Sequence, residues 1–404
     1  MNLREVTTHL IGMRRPISDR DLTFIGQGNW RDRTGPIGIR RADRRAHMYL
    51  VGKTGTGKST LLATMLQQDI RNGEGAALLD PHGDLVERVH AGVPESRRGD
   101  LIYFDVADDA HPLTWNPLEG VPAGRRSVAA SGMLEAMKKL WPDSWGPRLE
   151  HILRNALLAL LEFPQAHLAH ILRLVGDADF RKTVAQRVEN DQVREFWLSE
   201  FAQYNPRFRV EAIAPLQNKV GAFLADPRLN RILTSPKSSF DLRKVMDEGK
   251  ILLVNLSKGK IGEDASALLG TLLVAQIGVV GLGRANMPEA DRPDFYVYLD
   301  EFQGFATLSL AAMLAELRKY RVNLILAHQY LGQLEPEMRD AVLGNAGTMV
   351  CFRIGAQDAE KVGQEFSPEF EVLDLTRLPN YEFAVKLMVD GAPVVPFSGR
   401  TLGP

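Results

Sequence analysis

The 404-residue chain is 45% hydrophobic and 25% charged, with a formal net charge of −1. That is ordinary globular composition, with room for one large domain plus an insertion or for two domains, and its scattered 35 glycines and 22 prolines exclude collagen-like and low-complexity architectures. Cys351 is the single cysteine, which excludes an intrachain disulfide and a cysteine-based zinc site and fits a reducing cytosol.

Charge is unevenly placed. Residues 1–45 hold ten arginines, from Arg4 to Arg45, against five acids, a local +5. Such a stretch suits nucleic acid or acidic lipid, and equally a solvated arm. "DLTFIGQG" and "GPIGIRR" read as short strands. His47 to Val51 is an apolar run ending in a glycine-rich loop, and "STLLATMLQQDI" follows it as a helix. A strand "GAALLD", a helix "DLVERVHAG" and a strand "LIYFDV" come next, and this alternation predicts a parallel α/β sheet. The rhythm changes at Pro122. From there to Asp241 the pattern is helical: Leu149, Ile152, Leu153, Ala156, Leu157, Leu160 and Leu161 share one face of a 3.6-residue period. An all-α insertion is expected over 122–241.

The α/β alternation resumes with the strand "KILLVNL". The apolar run Ala267–Gly283 has 17 residues and four glycines, too short and too broken for a membrane span, and reads as a buried helix; the chain is expected to be soluble. A buried strand "DFYVYLDEF", a helix "SLAAMLAELRKY" and strands "NLILAHQ" and "TMVCFRI" follow. "EFAVKLMVDGAPVVPF" reads as a closing hairpin turning at Asp390-Gly391.

The chemistry is carried by "GKTGTGKST": Gly52, Lys53, Thr54, Gly55, Thr56, Gly57, Lys58, Ser59 and Thr60. It matches G-x-x-x-x-G-K-[ST] between a strand and a helix, the context that a phosphate-binding P-loop requires. Its glycines let backbone N–H groups point at phosphate oxygens, Lys58 would reach the β and γ phosphates, and Ser59 would ligate Mg²⁺. The helix N-terminus favours the anion further. "VYLDEF" supplies the partner acids. Asp300 at a strand end would hold Mg²⁺, and Glu301 would orient or deprotonate the attacking water, which argues for hydrolysis. Gln329, ending "LILAHQ", is a candidate γ-phosphate sensor, with His328 beside it. Arg318, Arg321 and Arg353 are candidates to neutralise charge developing on the γ-phosphate, in cis or from a neighbouring subunit. Arg318 is the first choice to act in trans and Arg353 the second.

The ordered set "GKTGTGKST", "LLDPHGDL", "ILLVNLSKG", "VYLDEF" and "RKYRVNLILAHQ" resembles the FtsK/HerA-like hexameric motor ATPases, and among them the coupling proteins of type IV secretion and conjugation. The resemblance spans about residues 45–400. It implies an α/β, RecA-like P-loop NTPase domain (46–121 and 242–404) with a mainly parallel sheet, the all-α insertion between its halves, and a basic N-terminal segment (1–45). It implies ATP and Mg²⁺ as cofactors and a homo-oligomeric ring of six. Lys58, Ser59, Asp300, Glu301 and Gln329 would act in cis, Arg318 would come from the neighbour, and DNA would pass through the channel. The helical domains would select substrate, meeting a relaxase or secretion-system proteins. Coupling proteins usually begin with transmembrane helices and no segment here reads as one, so the expected place is the cytoplasm, at the inner face of the membrane through partners. HerA-type DNA processing is an alternative, although only about 45 residues precede the P-loop. A nucleotide-gated adaptor that recruits protein substrates through 122–241 is another. A small-molecule kinase would need an arginine-rich lid, which does not follow the P-loop helix.

For DNA, "LSKGKIG" offers Lys258 and Lys260, and "YNPRFRVEA" offers Arg207 and Arg209 beside Tyr204 and Phe208; either can equally be a solvated loop. In "LLDPHGDL", the turn Pro81-His82-Gly83 is flanked by two aspartates. Asp84 is expected to cap the following helix. Asp80 lies at the sheet edge where ligands bind, and is expected to support the acids at 300 and 301 or to touch a neighbouring subunit.

Overall fold

The computed structural model describes residues 21–31 and 34–402. Arg4, Arg14, Arg15, Arg20 and Arg33 of the basic arm lie outside the described residues. Among the described residues thirteen strands form in chain order: β1 (Leu22–Gly28), β2 (Pro36–Arg40), β3 (Met48–Val51), β4 (Gly75–Asp80), β5 (Leu101–Asp105), β6 (Ile251–Asn255), β7 (Phe295–Leu299), β8 (Val322–His328), β9 (Thr348–Cys351), β10 (Glu382–Lys386), β11 (Met388–Val389), β12 (Ala392–Pro393) and β13 (Phe397–Arg400).

Eleven of them make one sheet in the order β2-β1-β13-β10-β9-β3-β8-β7-β4-β6-β5. From β9 to β5 every pairing is parallel. From β9 outward through β10, β13, β1 and β2 every pairing is antiparallel. The parallel strands are near-continuous apolar runs because both faces are covered. Side chains alternate between two cores. Tyr49, Val51, Leu79 and Leu299 face one, with the helices Arg126–Leu140 and Glu263–Gly283. Met48, Leu50, Leu78 and Tyr298 face the other, with the P-loop helix Lys58–Arg71 and the helix Asp84–Ala91. The result is a three-layer α/β/α sandwich.

Among the described residues no strand forms between Asp105 and Ile251. Helices fill the interval, and Pro147–Glu162 buries Leu149, Ile152, Leu153, Ala156, Leu157, Leu160 and Leu161. The first helix of this stretch, Arg126–Leu140, packs directly on the long helix Glu263–Gly283. That long helix is apolar enough to cross a membrane by length and composition, with a mean hydropathy of 2.0, but 83% of its apolar window is buried inside the protein. Asp390 and Gly391 both take positive φ, 51° and 77°, as a two-residue turn between β11 and β12 requires.

One buried network fixes the P-loop helix against β7. Arg44, 1% exposed, donates to Asp69 at 2.6 and 2.9 Å, to Thr23 Oγ1 at 2.7 Å and to Tyr298 Oη at 2.8 Å. Its guanidinium lies 3.8 Å from the centre of the Tyr296 ring. Asp69 lies in the last turn of the P-loop helix, and Tyr298 lies two residues before Asp300. Arg44→Met strands the Asp69 carboxylate in this core, so it is expected to lower the unfolding free energy by about 3–5 kcal/mol. Urea denaturation checks this, and an unchanged midpoint would remove the network from the account.

Candidate functional site

Parallel pairing brings the carboxyl ends of β3, β4, β7, β8 and β9 to one edge of the sheet, the edge where open α/β sheets hold ligands. The P-loop leaves β3 there and is anchored by its backbone. Gly52 N–H donates to His328 O at 3.3 Å, Lys53 N–H to Arg353 O at 2.8 Å, and Tyr381 N–H to Thr56 O at 2.7 Å. Thr56 Oγ1 closes the loop on Lys53 O at 2.7 Å. Two glycines are sterically required. A Cβ on Gly52 would sit 2.5 Å from Phe352 Cβ, and Gly57 has φ 120° with Tyr381 Cα 3.2 Å from its would-be Cβ. Lys53, Thr54 and Gly55 are exposed, Thr56 to Lys58 are buried, and Ser59 and Thr60 lie at the helix start.

Lys58 Nζ donates to Gly52 O at 2.5 Å and Lys53 O at 3.3 Å. Burial lowers its pKa, while Glu301 and Asp300 pull it back up. Ser59 Oγ donates to Asp300 Oδ2 at 3.3 Å. Asp300 is 4% exposed, and its pKa is raised to about 6, first by burial and then by the charges of Asp80 and Glu301. This edge therefore concentrates negative charge that a cation would relieve.

Glu301 takes a left-handed backbone conformation, φ 47° and ψ 48°. For a non-glycine residue that is a sparsely populated region, held only where the surroundings over-determine it. The surroundings here are specific. Gln329 Nε2 donates to Glu301 Oε1 at 3.1 Å, and Gln303 Nε2 donates to Oε2 at 2.7 Å. The structure thus joins the strand-end glutamine directly to the glutamate. Gln303 is not among the residues the sequence pattern singles out, although it sits two residues on in "DEFQG". Lys139 is another that the pattern misses. Its Nζ donates to Gln303 O at 2.8 Å and Ala306 O at 2.7 Å, and burial lowers its pKa to about 8. It ties the first helix after Pro122 to the turn that carries Glu301.

The other expected residues divide clearly. Asp80 is fully buried and accepts from the N–H groups of His82 at 2.8 Å, Leu85 at 2.9 Å and Val86 at 3.0 Å. It therefore does the capping that the sequence suggests for Asp84. Gly83 occupies the N-cap position with no side-chain cap, and Asp84 is exposed. Asp80 reaches over the turn because its strand ends facing the helix start, and its charge is felt by Asp300. Asp80→Ala leaves three N–H groups unanswered and is expected to cost about 2–4 kcal/mol. A thermal melt tests this, and a wild-type melting temperature would contradict the capping role.

His328 is fully buried between Tyr49 and Phe302. Burial and then the Lys58 ammonium push its pKa down to about 3, so it stays neutral. Arg353 is occupied by Leu378 O at 3.1 Å and Asn380 Oδ1 at 2.7 Å. Arg321 donates to Arg292 O at 2.7 Å. Arg318 is exposed and lies before β8, at the edge opposite its own P-loop, where its charge is felt by Asp43 and His47. Lys53, Thr54, Gln329, Tyr330 and the helix start at Gly355–Asp358 line a cleft of about 590 Å³. Of the DNA candidates, Lys258 pairs with Glu263 and Lys260 with Glu87. Arg207 pairs with Glu211, and Arg209 donates to the carbonyls of Phe201, Ala202 and Tyr204. Phe208 lies under Arg148, whose guanidinium is 4.3 Å from its ring centre.

No curated protein matches the sequence. Among solved structures, the bacterial conjugative coupling protein TrwBΔN70 matches with a TM-score of 0.64 at 16% identity, covering 93% of this chain and 88% of that one. TrwB in complex with ADP and Mg²⁺ matches with a TM-score of 0.64 at 17% identity, over 93% and 89%. VirB4 of Thermoanaerobacter pseudethanolicus matches with a TM-score of 0.64 at 15% identity, over 96% and 98%. These likenesses establish the RecA-like P-loop fold with its helical addition. The family model of the type IV secretion-system coupling protein DNA-binding domain matches residues 32–370, and the chain belongs to that family.

Proposed function

We propose that this chain is one subunit of a ring-shaped, ATP-driven DNA translocase of the coupling-protein type. The observation that carries the reading is the convergence at one sheet edge of Lys58, the Ser59–Asp300 pair at 3.3 Å, and Glu301 held by Gln329 at 3.1 Å. ATP would occupy the loop Gly52–Thr60. Lys58 would exchange its carbonyl partners for phosphate oxygens.

Mg²⁺ fits Ser59 and Asp300. Among the described residues there is no cluster of three or more metal-ligating side chains. Two protein oxygens next to a phosphate site are the provision that Mg²⁺ uses, since it draws its other ligands from phosphates and water. When bound, the ion would neutralise charge on the phosphates. Glu301 would take a proton from the attacking water. Gln329, bonded to that carboxylate, would transmit the state of the γ-phosphate to β8 and to the loop beyond its carboxyl end.

Arg318 faces away from its own nucleotide edge, so it is suited to serve another subunit's, entering through the cleft beside Gln329. The known TrwB complex with ADP and Mg²⁺ and the DNA-binding name of the family support the choice of ligands. The helices of 122–241 are the proposed meeting place for relaxase or secretion-system proteins, and the cytoplasmic face of a membrane the proposed location. Displacement of a DNA triplex by the purified protein and ATP tests translocation. The expected result is displacement that needs ATP and an intact Glu301; none under conditions where the protein assembles and hydrolyses ATP would overturn it.

A further inference from the structure

The acids that face the phosphates stand on one side of the P-loop strand. In the order β10-β9-β3-β8-β7, Asp300 and Glu301 follow β7 and Gln329 follows β8, so the γ end of a bound nucleotide points toward β8 and β7. The nucleoside end would then leave across the β9 and β10 side. Tyr381, just before β10, is what stands there.

Its placement is unusual for a tyrosine. It takes φ 67°, a conformation that side chains rarely adopt, and the residue remains 48% exposed. The backbone is clamped from both sides: Tyr381 N–H donates to Thr56 O at 2.7 Å, and Tyr381 O accepts from Thr401 N–H at 2.8 Å. The ring is flush with the loop, with Tyr381 Cδ1 only 3.2 Å from where a Cβ on Gly57 would be. A strained, half-exposed aromatic pinned to the end of a phosphate loop implies a function for the exposed ring face, because local strain persists where surrounding contacts enforce it.

We infer that Tyr381 is the stacking platform for the nucleobase, a binding residue for the nucleoside half of the nucleotide that the P-loop holds by its phosphates. The inference rests on the nucleotide reading of Gly52–Thr60. Every base has a π-face, so the platform is expected to accept purines with little discrimination. Binding of ATP and of inorganic tripolyphosphate to the full chain separates the two halves of the site. Tyr381→Ala is expected to weaken ATP roughly tenfold and leave tripolyphosphate unchanged, with Tyr381→Phe restoring ATP affinity.

Unchanged ATP affinity in Tyr381→Ala overturns the inference. So does an equal loss for ATP and tripolyphosphate, which would mean that the side chain only shapes the loop. Lys58→Ala keeps the two claims apart: loss of both ligands there, with wild-type ATP affinity in Tyr381→Ala, preserves the nucleotide site and rejects the platform. A wild-type chain that binds neither ligand rejects both.

Discussion

Lys58→Ala is expected to abolish nucleotide binding, with ATP affinity falling at least about a hundredfold, the scale of charge-assisted hydrogen bonds lost from a buried site. The edge of the sheet holds Asp80, Asp300 and Glu301, and the charges of the first and last add to burial in raising the pKa of Asp300 to about 6. A polyphosphate brought to that edge without a cation meets like charge in a poorly solvated place. Lys58 is the buried ammonium that offsets it, 5% exposed, and its own lowered pKa is partly restored by Glu301 and Asp300. The loop itself should survive the change. Its anchors are backbone bonds, Lys53 N–H to Arg353 O at 2.8 Å and Tyr381 N–H to Thr56 O at 2.7 Å, which the substitution does not touch. Titration calorimetry with ATP, beside a thermal melt, separates lost binding from lost folding. Wild-type affinity in a folded Lys58→Ala protein would contradict the assignment.

Glu301→Gln is expected to have the second large effect: ATP affinity within about threefold of wild type, and kcat lower by about 10²–10⁴, the range that a positioned general base supplies. The substitution is isosteric, and the two glutamine amides that hold Glu301, from Gln303 at 2.7 Å and Gln329 at 3.1 Å, can turn to meet the new amide. The backbone at φ 47° is also closed by Gly304 N–H donating to Glu301 O at 3.0 Å, a bond that the substitution does not touch. What is lost is the ability to accept a proton. Steady-state hydrolysis at saturating ATP reads this directly, and a kcat near wild type would remove Glu301 from the chemistry.

Much of this is legible in the residues. The P-loop, the parallel strands, the Asp300–Glu301 pair and the strand-end Gln329 all come from local patterns, because a loop that wraps phosphate and a strand that is buried on both faces each demand a particular short sequence. The features that escape such patterns are set by packing across the chain. Asp80 and Asp84 are equivalent by composition, and only the direction in which β4 ends decides that Asp80 caps Leu85 and Val86. Lys139 reaches Gln303 from 164 residues away in sequence. Strands β1 and β2 join the main sheet through β13 near the other end of the chain, a pairing with no local signal. Arginine has no signature that separates roles: Arg318 and Arg353 are alike in sequence, yet one is exposed and the other bonds Leu378 and Asn380.

The most direct test of the central claim is steady-state ATP hydrolysis by the assembled protein at low salt, with and without DNA. Backbone binding by basic loops is salt-dependent, so low salt gives the motor reading its fairest trial. A translocase couples its nucleotide edge to the strand it moves, and turnover is expected to rise severalfold with DNA and to vanish in Glu301→Gln. Identical turnover with and without DNA would contradict it.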